Sequence, residues 1–275
     1  MMKIAVCFKI IADYDRLSHK DWEWDERHFV DMSFVRRVFN CFDESALETV
    51  LKLSRQLENV SDTVELTALT VDDGQGDLFL KHLMAVGYDH AVRICCNNRL
   101  DLRFNPLVIS HLISRYIKQE GQKLVVLGMQ GGEGDNGQTG FLVAEQLGWP
   151  CIREVIEVVR AESSDCLEVK SRIDGATLKQ MVKLPMVLIM GNSLDSPYLR
   201  VPTLKQKLNA KKKSLTIVSG SDLGLDNDAL LNQDKTLMDL HRQKPGKSCV
   251  FLEGKTAQEQ AQRLYDRYLK ERLSL

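Results

Sequence analysis

Along this chain, short unbroken apolar runs alternate with longer stretches in which apolar residues recur every three or four positions, a pattern that predicts strands separated by helices. Residues 3–11 form a nearly continuous apolar run interrupted at Lys9, as expected of a central strand covered on both faces. Residues 64–71, 91–96 and 124–127 repeat that pattern. Residues 39–53, 78–86 and 106–118 have helical period, and Gly87 is placed to stop the second of these. A further helix over 141–147 follows the fourth strand and ends at Leu147-Gly-Trp-Pro150. Strands and helices alternating over such lengths imply right-handed crossovers and a mostly parallel sheet between two helix layers, an α/β fold.

After Pro150 the period changes. Residues 155–160, 166–173 and 181–190 read as strands of an antiparallel meander that extends the sheet, with turns at 162–165 and Asp174-Gly175 and with 183–190 as the most buried member. Residues 191–225 read as loop, stiffened by Pro197 and Pro202, and Lys211-Lys-Lys213 as a solvated helix end. Residues 226–248 are polar enough for an arm lying on another chain, 249–252 for a short strand, and 256–273 for a helix with Ala257, Ala261, Leu264, Tyr265, Tyr268 and Leu269 on one face. This divides the chain into an α/β domain with its sheet extension over 1–190, and a loop, arm and C-terminal helix over 191–275. Near the N-terminus, residues 14–31 are charged and aromatic and read as a surface excursion in which Trp22 and Trp24 pack. At the first helix Asp43 is the expected N-cap, and Asn40, just outside it, is a turn residue or a ligand contact.

Composition narrows the function classes. A formal net charge of −1 gives no global attraction to nucleic acid or an anionic membrane. No apolar run approaches the ~20 residues a membrane span needs, and the N-terminus lacks a signal-peptide pattern, so a cytoplasmic location is expected. The seven cysteines include no C-x-x-C pair, which argues for reduced thiols rather than a zinc site or disulfide framework. The Asp72-Asp-Gly74 turn lacks calcium-loop spacing. Six scattered histidines assemble no Ser-His-Asp or Cys-His set, so no catalytic residue and no metal ligand is assigned.

One stretch does suggest chemistry. Residues 128–140, Gly-Met-Gln-Gly-Gly-Glu-Gly-Asp-Asn-Gly-Gln-Thr-Gly, lie between the fourth strand and a helix opening with Gln138 and Thr139. A strand, a glycine-dense turn and a helix start would aim free N–H groups at an anion, as α/β proteins hold phosphate. The turn is neither a P-loop nor a G-x-G-x-x-G set directly after a strand, and a mobile surface loop fits the same residues. A parallel sheet would put it on the same carboxyl edge as residues 7–13 and Val71.

An ordered series of segments resembles the beta subunits of the electron transfer flavoprotein family, FixA-like subunits included. It runs through Lys3-Ile-Ala-Val-Cys-Phe-Lys9 with Asp13, Asn40-Cys-Phe-Asp-Glu-Ser-Ala-Leu-Glu48 and Met84-Ala-Val-Gly-Tyr-Asp89. It continues through Leu127-Gly-Met-Gln130 with Asp135-Asn-Gly-Gln-Thr-Gly140, Arg172-Ile-Asp-Gly175 with Lys183-Leu-Pro185, Ala210-Lys-Lys-Lys213 and Glu253-Gly-Lys-Thr256. The resemblance implies an adenine-nucleotide-binding (HUP-like) topology and a heterodimer with an alpha-type subunit that holds the electron-carrying FAD. It also implies AMP, or a second FAD in bifurcating members, bound here by Cys7, Asn40, Val71, Gly128, Asp135, Gly137, Gln138, Thr139 and Gly140. The expected role is that of an electron carrier between a flavin dehydrogenase or quinone-linked partner and an acceptor. A stand-alone adenine-nucleotide module of the universal-stress type is the alternative. The chain departs from the family at Asp195-Ser-Pro-Tyr-Leu-Arg200, where an Asn-Glu-Pro-Arg element that meets dehydrogenases is common, at Ile11-Ala-Asp13 and at Gly137. These departures bear on the redox partner more than on the fold.

Overall fold

β1 (Met2–Cys7) is the hub of a mostly parallel sheet, and its burial explains its composition. Ile4 and Val6 point into one helix layer and Ala5 and Cys7 into the other, so no polar residue is tolerated over that stretch. The computed structural model of the 275-residue chain describes residues 1–25, 30–58, 63–95, 102–132, 134, 136–161, 165–193, 195, 198–225, 239 and 249–273. Among these, nine strands form the sheet in the order β11-β5-β4-β1-β6-β10-β7-β8-β9.

The strands are β4 (Val64–Val71), β5 (His90–Cys95), β6 (Leu124–Gly128), β7 (Cys151–Arg160), β8 (Cys166–Ile173), β9 (Ala176–Lys183), β10 (Met186–Met190) and β11 (Thr216–Ser219). From β11 to β7 all neighbours pair in parallel, whereas β8 and β9 are antiparallel. Helices α1 (Cys41–Glu58), α2 (Asp77–Val86) and α5 (Leu204–Lys212) cover one face. α3 (Pro106–Glu120) and α4 (Thr139–Leu147) cover the other. A small antiparallel pair, β2 (Ile10–Ala12) with β3 (Arg37–Phe39), brackets the 14–31 excursion. The described part of that excursion consists of short 3-10 turns, with Tyr14 and Trp22 in ring contact and a bridge between Trp24 and Val30.

Several expectations change. The apolar run 3–11 is two strands, because the chain leaves the main sheet at Phe8 and Lys9. The run 181–190 is also two strands: at Leu184-Pro185 the chain leaves β8, and β10 enters the parallel core between β6 and β7 rather than closing the meander. Proline has no N–H for a ladder, which suits it to that break. Residues 191–225 are not all loop: a Thr203–Gln206 capping box starts α5, and β11 then adds a parallel edge strand to β5. Residues 249–252 form no strand.

The chain divides into two compact units, Met1–Thr236 and Leu237–Leu275. In the second, helix α6 (Ala257–Leu264) is capped by Thr256 and continues through a π turn at Tyr265–Leu269 into a last helical turn, α7 (Lys270–Leu273). Its expected apolar face is present, with Leu264, Tyr265 and Tyr268 exposed. The arm expected over 226–248 lies, except for Asp239, outside the described residues. Among the described residues no helix is long and apolar enough to cross a membrane, and no cluster of His, Cys, Asp and Glu could hold a metal ion.

Candidate functional site

The strand order reverses beside β1. The chain steps from β1 to β4 to β5 on one side, then crosses through α3 to β6 on the other. The segments leaving β1 and β6 depart to opposite faces of the sheet, α1 to one and α4 to the other. Such a switch point opens a crevice at the carboxyl edge, where α/β proteins take ligands.

A buried carboxylate organises this crevice. Asp43 lies in the first turn of α1, three residues past Asn40, and is not the helix cap that the sequence suggested. Its Oδ1 accepts from the Gly128 N–H at 2.8 Å, while its Oδ2 accepts from the Lys9 N–H at 2.9 Å and from Asn40 Nδ2 at 3.1 Å. One side chain thereby ties the exit of β1, the start of α1 and the end of β6. Burial pushes the Asp43 carboxyl up to about 6, against the pull of the three donors and the Lys9 charge. The approach is close enough to require glycine: a Cβ on Gly128 would fall 2.3 Å from Asp43 Oδ1 and 2.8 Å from the Asp43 backbone nitrogen.

Asn40 is buried immediately before α1, held by its own N–H to the Lys9 carbonyl, and its Nδ2 also donates to the Gln130 carbonyl at 2.6 Å. This fixes the start of the glycine turn against the α1 terminus. Further on, Gly137 adopts φ +60°, which favours glycine, and the Gln138 N–H is taken by Asn136 Oδ1 at 3.0 Å. Gln138 occupies the cap position of α4 without a side-chain capping bond. The N–H groups of Thr139, Gly140 and Phe141 have no carbonyl four residues back within the helix, so the first turn of α4 presents donors at this edge.

Of the residues singled out from the sequence, Asn40 and Gly128 meet through Asp43, and Gly137, Gln138, Thr139 and Gly140 follow on the same turn. Cys7 ends β1, buried, with its thiol pushed far up by burial and by the Asp43 charge, so it is a neutral wall rather than a nucleophile. Val71 ends the neighbouring β4 two positions beyond Leu69, the register partner of Cys7. Asp135 lies outside the described residues. The Asp72 turn is closed on itself, its carboxylate accepting from the N–H groups of Gly74, Gln75 and Gly76.

Sequence reasoning missed two features. The role of Asp43 was hidden because its partners are 34 and 85 residues away. The second is the docking of Ser193, Asp195, Leu199 and Arg200 on α1. Arg200 forks onto Glu48, Leu199 N–H donates to Glu44 Oε1 at 3.2 Å, Ser193 N–H to Ser45 Oγ at 3.1 Å, and Lys52 Nζ to the Asp195 carbonyl at 2.5 Å. The acceptors and donor on α1 fall at 44, 45, 48 and 52, one helical stripe. Beyond this anchor Tyr198, Val201 and Leu204 stay 77, 83 and 73 % exposed.

Residues 31–223 match the family model described as the electron transfer flavoprotein domain. The chain is 27% identical over 225 residues to the human electron transfer flavoprotein subunit beta, covering 82% of this chain and 84% of that one. It is 29% identical over 225 residues to the mitochondrial beta subunit of Oryza sativa subsp. indica, covering 82% and 85%. YgcR of Escherichia coli (strain K12) matches at 29% identity over 274 residues, 99% of each chain. Because the family model covers more than two-thirds of its length, the chain belongs to the electron transfer flavoprotein family, as a divergent member of the beta-subunit group.

Proposed function

We propose that this chain binds an adenine nucleotide, AMP or FAD, at the carboxyl edge between β1 and β6, and pairs with an alpha-type subunit to carry electrons between a flavin dehydrogenase and an acceptor. The observation that supports this best is the crevice itself: the first turn of α4 offers N–H donors beside a floor built from Asn40, Asp43 and Gly128. The Thr139 N–H and hydroxyl and the Gly140 N–H would meet a phosphate. The buried Asp43 charge disfavours phosphate near Gly128, so the neutral nucleoside belongs there and the phosphate at α4. Cys7 and Val71 would wall the nucleoside side.

A bound flavin supplies one- and two-electron transfer. This chain's own residues bind, orient and shield; no acid or base among them is assigned to a proton transfer. The segment after β10, anchored on α1 and presenting Tyr198, Val201 and Leu204, supports a role for 191–275 in meeting other subunits or redox partners. The meander and this segment also favour a subunit over a solitary nucleotide sensor.

The test is to purify the protein with its genomic neighbours co-expressed, release the bound small molecule and identify it by absorbance and mass. An adenine nucleotide near one per chain, with an alpha-type partner co-purifying, is expected; a stable monomer that holds and binds neither AMP nor FAD would overturn the reading.

A further inference from the structure

Asn40 is buried, and both hydrogens of its side-chain NH2 are committed to acceptors, Asp43 Oδ2 at 3.1 Å and the Gln130 carbonyl at 2.6 Å. Neither of those oxygens can donate, because the Asp43 carboxylate is itself held by the N–H groups of Lys9 and Gly128. The amide therefore has one orientation. Its other end, Oδ1, receives no donor among the described residues, yet it is not among the polar atoms sealed from solvent without a partner. It is an oriented acceptor left open between the exit of β1 and the glycine turn.

We infer that Asp43 is a positioning residue that locks the Asn40 amide with its carbonyl oxygen open to the crevice, so that the site selects a nucleoside carrying a donor there, an exocyclic N–H or a ribose O–H. This rests on the nucleotide reading above and adds the group that sets its hydrogen-bond polarity. A carboxylate at 43 is needed because only it accepts on both sides. In Asp43→Asn, the new amide can satisfy the Gly128 N–H with its oxygen, but its NH2 then faces Asn40. The Asn40 NH2 would lose that acceptor and keep only the Gln130 carbonyl, which bars a full turnover because it would set Asn40 Oδ1 against that oxygen. The amide is then held from one side, and its Oδ1 is less firmly aimed at the crevice. The isosteric change loosens the acceptor's aim from a position one residue removed from the ligand, an effect that loss of packing alone does not produce.

The experiment measures competition against AMP on the purified protein, or on its complex if a partner co-purifies. The competitors are inosine monophosphate, which replaces the exocyclic amine by an acceptor, and 2′-deoxy- and 3′-deoxy-AMP, which each lack one hydroxyl. Wild type is expected to bind one of the three about three- to tenfold more weakly than AMP, which identifies the donor. That ratio should fall to near one in Asn40→Ala and partway toward one in Asp43→Asn, while thermal unfolding shows that both variants are folded. Where Asp43→Asn does not fold, Asp43→Ser, which leaves the Asn40 amide held by the Gln130 carbonyl alone, should also bring the ratio toward one. If wild type binds AMP but does not discriminate among the analogues, or if the Asp43 variants keep the wild-type ratio, the inference is wrong and the nucleotide reading stands. If neither AMP nor FAD binds wild type, both fail.

Discussion

The Arg200 guanidinium lies across the Glu48 carboxylate, its Nη2 2.6 Å from Oε1 and its Nε 2.9 Å from Oε2, with the Arg200 N–H adding a bond to Oε2 at 3.0 Å. The Glu48 side chain is only 8% exposed and that of Arg200 22%, so this pair is desolvated and forked, unlike the exposed pairs at the surface. Removing one partner strands a buried charge. Arg200→Leu is expected to cost roughly 3 kcal/mol in urea unfolding, whereas the double change Glu48→Leu/Arg200→Leu should cost clearly less. Equal losses in the single and double variants would mean that the pair does not anchor Arg200 on α1.

A second prediction separates close approach from backbone strain. Gly128→Ala would put a methyl 2.3 Å from Asp43 Oδ1 and 2.9 Å from the Phe42 Cβ, where the nearest atoms belong to a buried helix start that cannot withdraw. The change should cost about 2–3 kcal/mol and weaken the nucleotide, since it displaces the Asp43 clamp. Gly121 has φ +66° and nothing within 4 Å of a Cβ, so Gly121→Ala meets only the left-handed backbone penalty of about 1 kcal/mol and should leave binding intact. Comparable effects on binding from both would mean that Gly128 is not a site residue.

The pH dependence follows from burial. Asp43, raised to about 6, holds its proton more tightly when folded than when unfolded, and burial also raises Glu44 and Asp72. For a raised carboxyl, the folded state carries a penalty at neutral pH that shrinks as pH falls from the folded value towards the unfolded one, 3.8 for Asp43. The exposed Asp21, Asp31 and Asp222 are lowered by their serine hydrogen bonds and work oppositely, but only below the ordinary carboxylate range. The melting temperature should therefore rise on acidification from pH 7 to about 4, most of it by pH 5, and decline only below that. In Asp43→Asn, most of the rise between pH 7 and 5 should be missing; an unchanged profile would place the responsible carboxyl elsewhere.

How far the sequence alone led can be traced to where each determinant sits. β4 and β6 were legible because burial on both faces leaves a continuous apolar run, and α1 because Ala46, Leu47, Val50, Leu51 and Leu53 recur with helical period. α5 was legible only at its end: Lys211-Lys-Lys213 read as a solvated helix end, where α5 does stop, but among its residues only Ala210 is buried, so no apolar face marked the helix itself. β11 escaped because four residues on a sheet edge carry almost no pattern. The place of β10 in the sheet is set by pairing with β6 and β7, which no local period encodes. At the site, the glycine turn stood out by composition, whereas Asp43 looked like a helix cap because the groups it holds arrive from Lys9 and Gly128. The resemblance to a family suggested a nucleotide as ligand; the geometry revealed the Asp43 carboxylate that ties Lys9, Asn40 and Gly128 together.

The start of α4 gives the last prediction. Gln138 makes no side-chain capping bond and its N–H is already engaged by Asn136, so its side chain contributes little to the helix. Thr139 is the first residue of α4, where a hydroxyl lies beside the unpaired donors of the first turn. Thr139→Val keeps the branched shape and removes only the hydroxyl, and Gln138→Ala removes the amide. Neither should change unfolding stability by more than about 0.5 kcal/mol, because neither side chain makes a hydrogen bond among the described residues. If a phosphate rests on this turn, the pair together should weaken AMP by about tenfold while leaving adenosine unaffected, since a hydrogen bond to a charged group exceeds one between neutral groups. Calorimetric titration of both ligands makes the comparison. An equal loss for adenosine and AMP would move the phosphate away from α4, and with no loss for either the α4 turn would be a structural element only, leaving the crevice floor at Asn40 and Gly128 as the part of the site still to be probed.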